Sequence, residues 1–180
     1  MRIRPAAAVL GETLRFREVE ETDARFILDL RVDERKGRFL SPTRNDEEKQ
    51  AAWIRACKHR DEAYFVICDL AGDRLGAVRL YDAVDDSFSW GSWIIRAGAP
   101  ARTAMESALM VYDYALNTLS FSRSHFDVRK GNASVIHFHL RCGAVVTRED
   151  EVDVHFRIDR PAILAFLERY RRYLPSGARV

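Results

Sequence analysis

The sequence is short of three things: cysteine, long apolar runs and an excess of either charge. Only Cys57, Cys68 and Cys142 occur, an odd number, far apart and with no CxxC pair. That excludes a disulfide framework and a structural zinc site, and it points to a reducing compartment. The longest apolar run near the start, Pro5 to Leu10, is too short for the core of a signal peptide. No stretch approaches the ~18 residues needed to span a bilayer. A cytoplasmic protein without membrane contact is the expectation. Basic and acidic residues number 29 and 27, a net charge of +2, and they are interleaved throughout. No basic block marks a nucleic-acid footprint, so nucleic acid is not an expected partner.

What is present is an ordinary soluble composition, 47% apolar over 180 residues. A chain of that length buries roughly two-thirds of its unfolded surface and needs no metal or disulfide to fold. There is no internal repeat and no low-complexity linker. One α+β unit spanning 1–180 is therefore predicted, with a core over about 14–158 and a C-terminal helix over about 161–174.

Periodicity gives the element order. Leu14 to Glu20 alternates apolar and charged residues as a half-buried strand does. Thr22 then stands as the cap of a short helix carrying Phe26, Ile27 and Leu30 and ending near Lys36-Gly37. After a polar loop, Asn45 is placed to cap a second helix to about His59, with Glu48 as its capping-box partner. Strand-like runs follow at Tyr64 to Cys68 and Leu75 to Tyr81, joined by the turn signal Ala71-Gly-Asp73, and a third runs from Phe88 to Ile95. The strongest helical pattern covers Arg102 to Leu119. His125 to Arg129 alternates as a strand, with His125, Asp127 and Arg129 on one face and Phe126 and Val128 on the other. Asn132 can cap a helix to Cys142 with Gly143 at its C′ position. Two strands, Ala144 to Thr147 and Val152 to Ile158, flank the turn Glu149-Asp-Glu151. The last helix begins near Pro161.

This order, together with Val128-x-x-x-Asn132, His139 and Gly143 at the spacing V-x-x-x-N-x-x-A-x-x-x-Y-x-x-x-G-F, resembles the GNAT fold of acetyl-CoA-dependent N-acetyltransferases from Leu14 to Ile158. Phe88-Ser-Trp-Gly-Ser-Trp93 is similar to the W-G-x-(Y/W)-I strand of that family's amino-sugar and ribosomal-protein branches. The resemblance implies direct acetyl transfer from acetyl-CoA, as co-substrate, to a small-molecule primary amine, a nucleotide-linked amino sugar first among acceptors. Two alternatives stay open: transfer to a protein N-terminus or lysine, and a non-catalytic module that keeps only the fold.

The resemblance also assigns roles. The family's R/Q-x-x-G-x-G/A loop, whose backbone N–H groups and following helix hold the CoA pyrophosphate, aligns with Ala99-Pro-Ala-Arg-Thr-Ala104. Ala99, Ala101, Arg102, Thr103 and Ala104 thereby become cofactor-contacting positions. Arg102 stands where the family has its inner glycine, an awkward place for a side chain if φ must be positive, although a guanidinium suits phosphate. Asn132 would lie near the pantetheine arm. A backbone N–H among Ser92, Trp93, Ile94 and Ile95 would polarise the thioester carbonyl. His139, in the place of the family's tyrosine, is the candidate proton donor to the leaving thiolate, since its reference pKa near ~6.5 permits either protonation state. A histidine on the Val135/Ile136/His139 stripe is equally readable as a core residue. His137 falls on another face and reads as surface.

Asp127 and His125 are the candidate bases for the amine, with an Asp127 to Arg129 ion pair as the plain alternative. Glu106, in the first turn of the long helix, reads as favourable electrostatics. Arg35, Arg38 and Trp90 are candidate acceptor contacts, with Arg35 and Arg38 suited to an anion and Trp90 to a ring. The C-terminal amphipathic helix needs a partner surface, either its own domain or a second copy in a homodimer. No metal is implied, because the histidines lack ligand spacing.

Overall fold

The computed structural model describes residues 1–33 and 45–180. Its strands are β1 (Ala8–Leu10), β2 (Leu14–Glu18), β3 (Ala63–Asp69), β4 (Arg74–Val84), β5 (Ser87–Ile95), β6 (Arg123–Arg129), β7 (Val145–Glu149) and β8 (Asp153–Asp159). The helices are α1 (Ala24–Val32), α2 (Glu47–Cys57), α3 (Arg102–Asp113), α4 (Ala133–Arg141) and α5 (Arg160–Arg169). Among the described residues the strands form one sheet in the order β1-β2-β3-β4-β5-β6-β8-β7. Every neighbouring pair is antiparallel except β5 and β6, which run parallel. This is the expected α+β architecture.

Helices cover both faces, and the strands show it. β3 reads Ala-Tyr-Phe-Val-Ile-Cys-Asp and is buried at its first six positions, as a continuous apolar run must be when both sides are covered. On one side Phe65 stacks on Phe16 with ring centroids 5.7 Å apart and meets Tyr114 edge-on at 5.8 Å. On the other, Tyr64, Val66 and Cys68 pack with Ile27, Leu30 and Ile54 of α1 and α2. Each such large apolar side chain contributes about 1.5–3 kcal/mol by leaving water.

α3 is buried from Glu106 through Asp113 because α5 lies over it, with Phe166 edge-on to Tyr112 at 5.9 Å. A π-helical turn, Tyr114–Thr118, continues α3, so the long helix expected to Leu119 is present with a widened last turn. The apolar side of α5, on which the expectation of a homodimer rested, is thus covered within the chain. The C-terminal segment completes the cover. Leu10 and Arg179 exchange backbone hydrogen bonds of 2.7 and 2.9 Å, and Ala178 N–H donates to Asp113 Oδ2 at 2.9 Å.

Local signals were displaced in several places. α1 is introduced by a 3₁₀ turn over Glu21–Asp23, in which Glu20 and Asp23 cap each other reciprocally, rather than by Thr22, and it ends at Val32 rather than near Lys36. α2 is capped by Asp46, whose Oδ1 accepts from Lys49 N–H at 3.0 Å, rather than by Asn45 with Glu48. A carboxylate one residue on satisfies the same orphan donors and adds favourable charge at the helix start. α5 stops at Arg169 and gives way to a 3₁₀ turn, Arg171–Tyr173. β1 had not been anticipated, being three residues long with no period to reveal it. Gly143, by contrast, takes the expected left-handed conformation after α4, with φ of 93°.

Candidate active site

β5 and β6 are paired only where they begin, Ser87 with Arg123 and Phe88 with Ser124. Beyond that point they diverge, and a parallel pair that separates leaves backbone donors and a gap between strands. β5 also carries a bulge on its other edge. The pairing with β4 passes from Gly91 opposite Arg79 to Ile94 opposite Ala77, and Ser92 takes a φ of 47°. A left-handed conformation at a non-glycine residue costs roughly 1–2 kcal/mol and recurs where strands are re-aimed at functional sites.

The bulge sends the expected carbonyl-polarising stretch in two directions. Trp93 turns toward α3 and α4, where Nε1 donates to Ser107 Oγ at 3.1 Å and the indole lies 5.3 Å from Phe138. Ile94 packs with α1, and Ile95 lies on a cleft of about 200 Å³ bounded by Phe26, Asp29 and Leu30 of α1 and by Arg96 and Ala97.

The segment from Gly98 to Ala104 forms the entry to α3. The left-handed position falls on Gly98, with φ of 75° and open space around it, so Arg102 sits in the first helical turn without backbone strain. No side chain caps α3 and its first turn holds no acidic residue, which leaves the positive helix end available to an anion. Thr103 N–H bonds Pro100 O at 2.9 Å, while Thr103 Oγ1 is buried with no partner. Arg102 is otherwise engaged. Its Nε donates to Glu106 Oε2 at 3.0 Å and its Nη2 to Tyr173 O at 3.3 Å. Glu106, fully buried, also accepts from Thr13 N–H, Thr13 Oγ1 and Leu14 N–H at 2.7, 2.6 and 3.1 Å. It is the tie between the β1–β2 turn and α3, a role deeper than the helix-end electrostatics expected of it.

The two sheet faces at β5 and β6 differ sharply. One face presents Phe88, Trp90, Phe126, Val128 and Phe156 toward α3 and α4. His139 of α4 is enclosed there, 4.2 Å from the Phe126 ring, 5.4 Å from Trp90 and 6.2 Å from Phe156. Its Nδ1 is buried without a partner, and burial pushes its pKa down to about 3. The imidazole is neutral at physiological pH, because nothing beside it offsets the desolvation of an imidazolium. Trp90 belongs to the same cluster, its Nε1 donating to the Tyr112 hydroxyl at 3.2 Å. Strand alternation puts it with Phe88, on the face turned toward α3 and α4.

The opposite face is polar. Tyr81 of β4, Ser87, Ser89 and Gly91 of β5, His125 and Asp127 of β6, and His155 of β8 share it by register. His125 Nδ1 lies 2.7 Å from Ser87 Oγ and its Nε2 3.2 Å from Asp82 Oδ2; Ser89 Oγ donates to His125 O at 2.6 Å. Asp127 is exposed and, among the described residues, has no hydrogen bond or ion pair. The expected Asp127 to Arg129 pair does not form, since Arg129 meets Asp153 at 3.6 Å.

Tyr81 and Gly91, expected only as strand residues, are brought together on this face by the pairing of Arg79 with Gly91 and Tyr81 with Ser89. Asn132 begins α4 without a side-chain cap, its Oδ1 accepting from Ser134 Oγ at 3.2 Å. His137 is exposed, as expected. The acidic hairpin is used locally. Asp150 accepts from Val152 N–H, Asp153 N–H and His155 Nε2, which hold its carboxyl well below the usual range, and Glu149 pairs with Lys130 at 3.3 Å. Arg35 and Arg38 lie outside the described residues. Among the described residues no cluster of side chains could hold a metal ion, and no helix is long and apolar enough to cross a membrane.

Comparison with known proteins agrees with this geometry. The model of the acetyltransferase (GNAT) domain matches residues 13–145. Apo FdhC, a nucleotide-linked sugar GNAT, is 36% identical over 97% of this chain and 98% of its own, with a TM-score of 0.82. A GCN5-related N-acetyltransferase from Brucella melitensis, 15% identical, covers 95% and 87% of the two chains at a TM-score of 0.75. A variant of the spermidine N-acetyltransferase SpeG from Vibrio cholerae, 20% identical, covers 89% and 99% at 0.67. These last two share the fold. No curated protein sequence matches the chain. The uncapped α3 entry, the diverging strands and the near full-length likeness together place this chain in the GNAT family, as an N-acetyltransferase.

Proposed function

We propose that this acetyltransferase takes acetyl-CoA as co-substrate and acetylates the primary amine of a nucleotide-linked amino sugar by direct transfer. The observation that carries the acceptor class is the likeness to FdhC, at 36% identity and nearly full length. The helix end without a cap, the orphaned Thr103 Oγ1 and the open left-handed turn at Gly98 suit a phosphate-bearing ligand. Ala99, Ala101, Thr103 and Ala104 would hold it through backbone donors, with Asn132 at the far side of the gap. Arg102 supports the loop through Glu106 and Tyr173.

Acetyl-CoA supplies the acyl group as a thioester. In this reading the protein does three things for the transfer. Backbone N–H groups between Ser92 and Ile95 polarise the acyl oxygen. Asp127, exposed and without a hydrogen bond or ion pair among the described residues, takes a proton from the acceptor's ammonium, which frees the lone pair that forms the C–N bond as the C–S bond breaks. His125, tied to Ser87 and Asp82, keeps β5 and β6 in register beside it. The nitrogen's second proton, released as the amide forms, passes through water to the departing thiolate and gives CoA thiol, whose reference pKa is about 8.5. His139, neutral and enclosed, packs the wall behind the gap. We place the protein in the cytoplasm, in keeping with three buried free thiols, of which Cys57 and Cys142 are pushed up to about 11 and 12 by burial.

The test is a panel of dTDP- and UDP-linked 3-amino and 4-amino sugars with acetyl-CoA, read by release of CoA thiol. Turnover of at least one member at a rate far above that of spermidine or a lysine peptide is expected. A preference for either of the latter overturns the acceptor assignment.

A further inference from the structure

Tyr81 has no role in the transfer as proposed so far, yet its placement is unusually specific. It stands on β4 two residues beyond Arg79, which is directly opposite Gly91 on β5. A methyl group built on Gly91 would come within 3.0 Å of the Tyr81 hydroxyl, 3.5 Å of Cε1 and 3.7 Å of Cζ. The phenol therefore lies over the bare backbone of Gly91, one residue before the Ser92 bulge. It is held there from behind, because the Arg79 guanidinium sits 4.2 Å over the Tyr81 ring and 5.1 Å over Trp53 of α2. A cation between two aromatic faces is worth on the order of 1 kcal/mol per face and fixes the ring plane.

On the far side of Gly91, β6 brings Asp127 to the same face. Asp127 is the nearest strong influence on the Tyr81 hydroxyl after burial itself, and together these raise the phenol's pKa, so it stays protonated. Hydroxyl and carboxylate are close enough to interact through the field but share no hydrogen bond. Tyr81, Gly91 and Asp127 thus share the polar face of the sheet where β5 and β6 diverge.

We infer that Tyr81 is an acceptor-binding residue: the substrate's amino group sits over Gly91 between the Tyr81 oxygen and the Asp127 carboxylate, giving one N–H to each. This rests on the proposed transfer to a small amine and assigns the place that amine occupies. Glycine suits this position because a Cβ at 91 would crowd the phenol and shift its oxygen by a few tenths of an ångström. It also explains why an aromatic-rich strand is interrupted by glycine where alternation would otherwise put a side chain on the polar face.

The experiment is a double-mutant cycle of Tyr81→Phe and Gly91→Ala, measured with the best acceptor of the sugar panel and, independently of it, with butylamine as a minimal amine. Tyr81→Phe should raise the amine KM about tenfold while the acetyl-CoA KM and Tm stay at wild-type values, consistent with loss of one hydrogen bond to a charged group. Gly91→Ala should raise the amine KM similarly, because it displaces the hydroxyl. In the Tyr81→Phe background it should add nothing, since the oxygen it would displace is gone. Additive effects of the two substitutions, or an unchanged amine KM in Tyr81→Phe, overturn the inference. If butylamine is acetylated and no nucleotide sugar is, the acceptor class fails while the cycle with butylamine still decides the role of Tyr81. Transfer to neither probe by the wild-type chain overturns both.

Discussion

Two histidines on opposite faces of the same strands meet opposite conditions. His125, on the polar face of β6, has both ring nitrogens within hydrogen-bond reach of partners, Ser87 and Asp82. His139, across the sheet, is ringed by Phe126, Trp90 and Phe156, and its Nδ1 has none. The residue type is the same, and the strand's two-residue alternation decides which environment each side serves. The lesson is that the diverging strands divide labour. The aromatic face gives a rigid, dry wall, and the polar face keeps groups such as Asp127 in reach of a soluble acceptor.

Substitutions on either face should separate accordingly. On the polar face, Asp127→Asn keeps shape and removes the proton acceptor. The expected loss in kcat is about 10²–10⁴-fold with Tm unchanged, measured by steady-state thiol release and thermal melting. On the aromatic side, Glu106→Ala should do the reverse. It strands the Thr13 and Leu14 donors and should cost about 2–4 kcal/mol in urea titration, while kcat of the remaining folded protein stays close to wild type.

A pH-dependent effect comes from His139 and has a definite sign. Its folded pKa of about 3 lies below the ordinary value of 6.5. The neutral form's contribution is therefore fully present above pH 6.5 and is lost as pH falls toward 3, by up to ~1.4 kcal/mol per unit. His139→Phe should lose less stability than wild type over that window in denaturant titrations at each pH. A parallel decline in the two proteins would place the acid sensitivity elsewhere.

Much of this arrangement was legible in the sequence. The split of His125 and Asp127 from Phe126 and Val128 follows from strand period alone, and among the described residues helices cover just one side of β6. The spacing from Asn132 to Gly143 carried the family likeness. What could not be read was tertiary. The stripe Val135, Ile136, His139 marks the core-facing side of α4 without revealing that His139 meets four aromatic rings and that its Nδ1 has no partner, which decides the charge of the imidazole. Trp90 and Trp93 look alike as neighbours on one strand. Strict alternation over three positions would part them, and the bulge at Ser92 instead brings both to the α3 side, with ring centroids 5.3 Å apart. Arg102 appeared to fill a glycine's place, whereas the left-handed residue is Gly98, four positions earlier, and the guanidinium is held by Glu106 one helical turn on. Tyr81 carries no local signal because the residue it covers, Gly91, has no side chain to pair with it.

The central claim, that transfer is carried out on the polar face against an aromatic wall, is tested most directly by comparing kcat for His139→Phe and Asp127→Asn in one assay, with folding of both verified by circular dichroism. The prediction is a kcat for His139→Phe within about threefold of wild type beside a loss of at least a hundredfold for Asp127→Asn. A folded His139→Phe protein that loses activity a hundredfold while Asp127→Asn retains it would contradict the account.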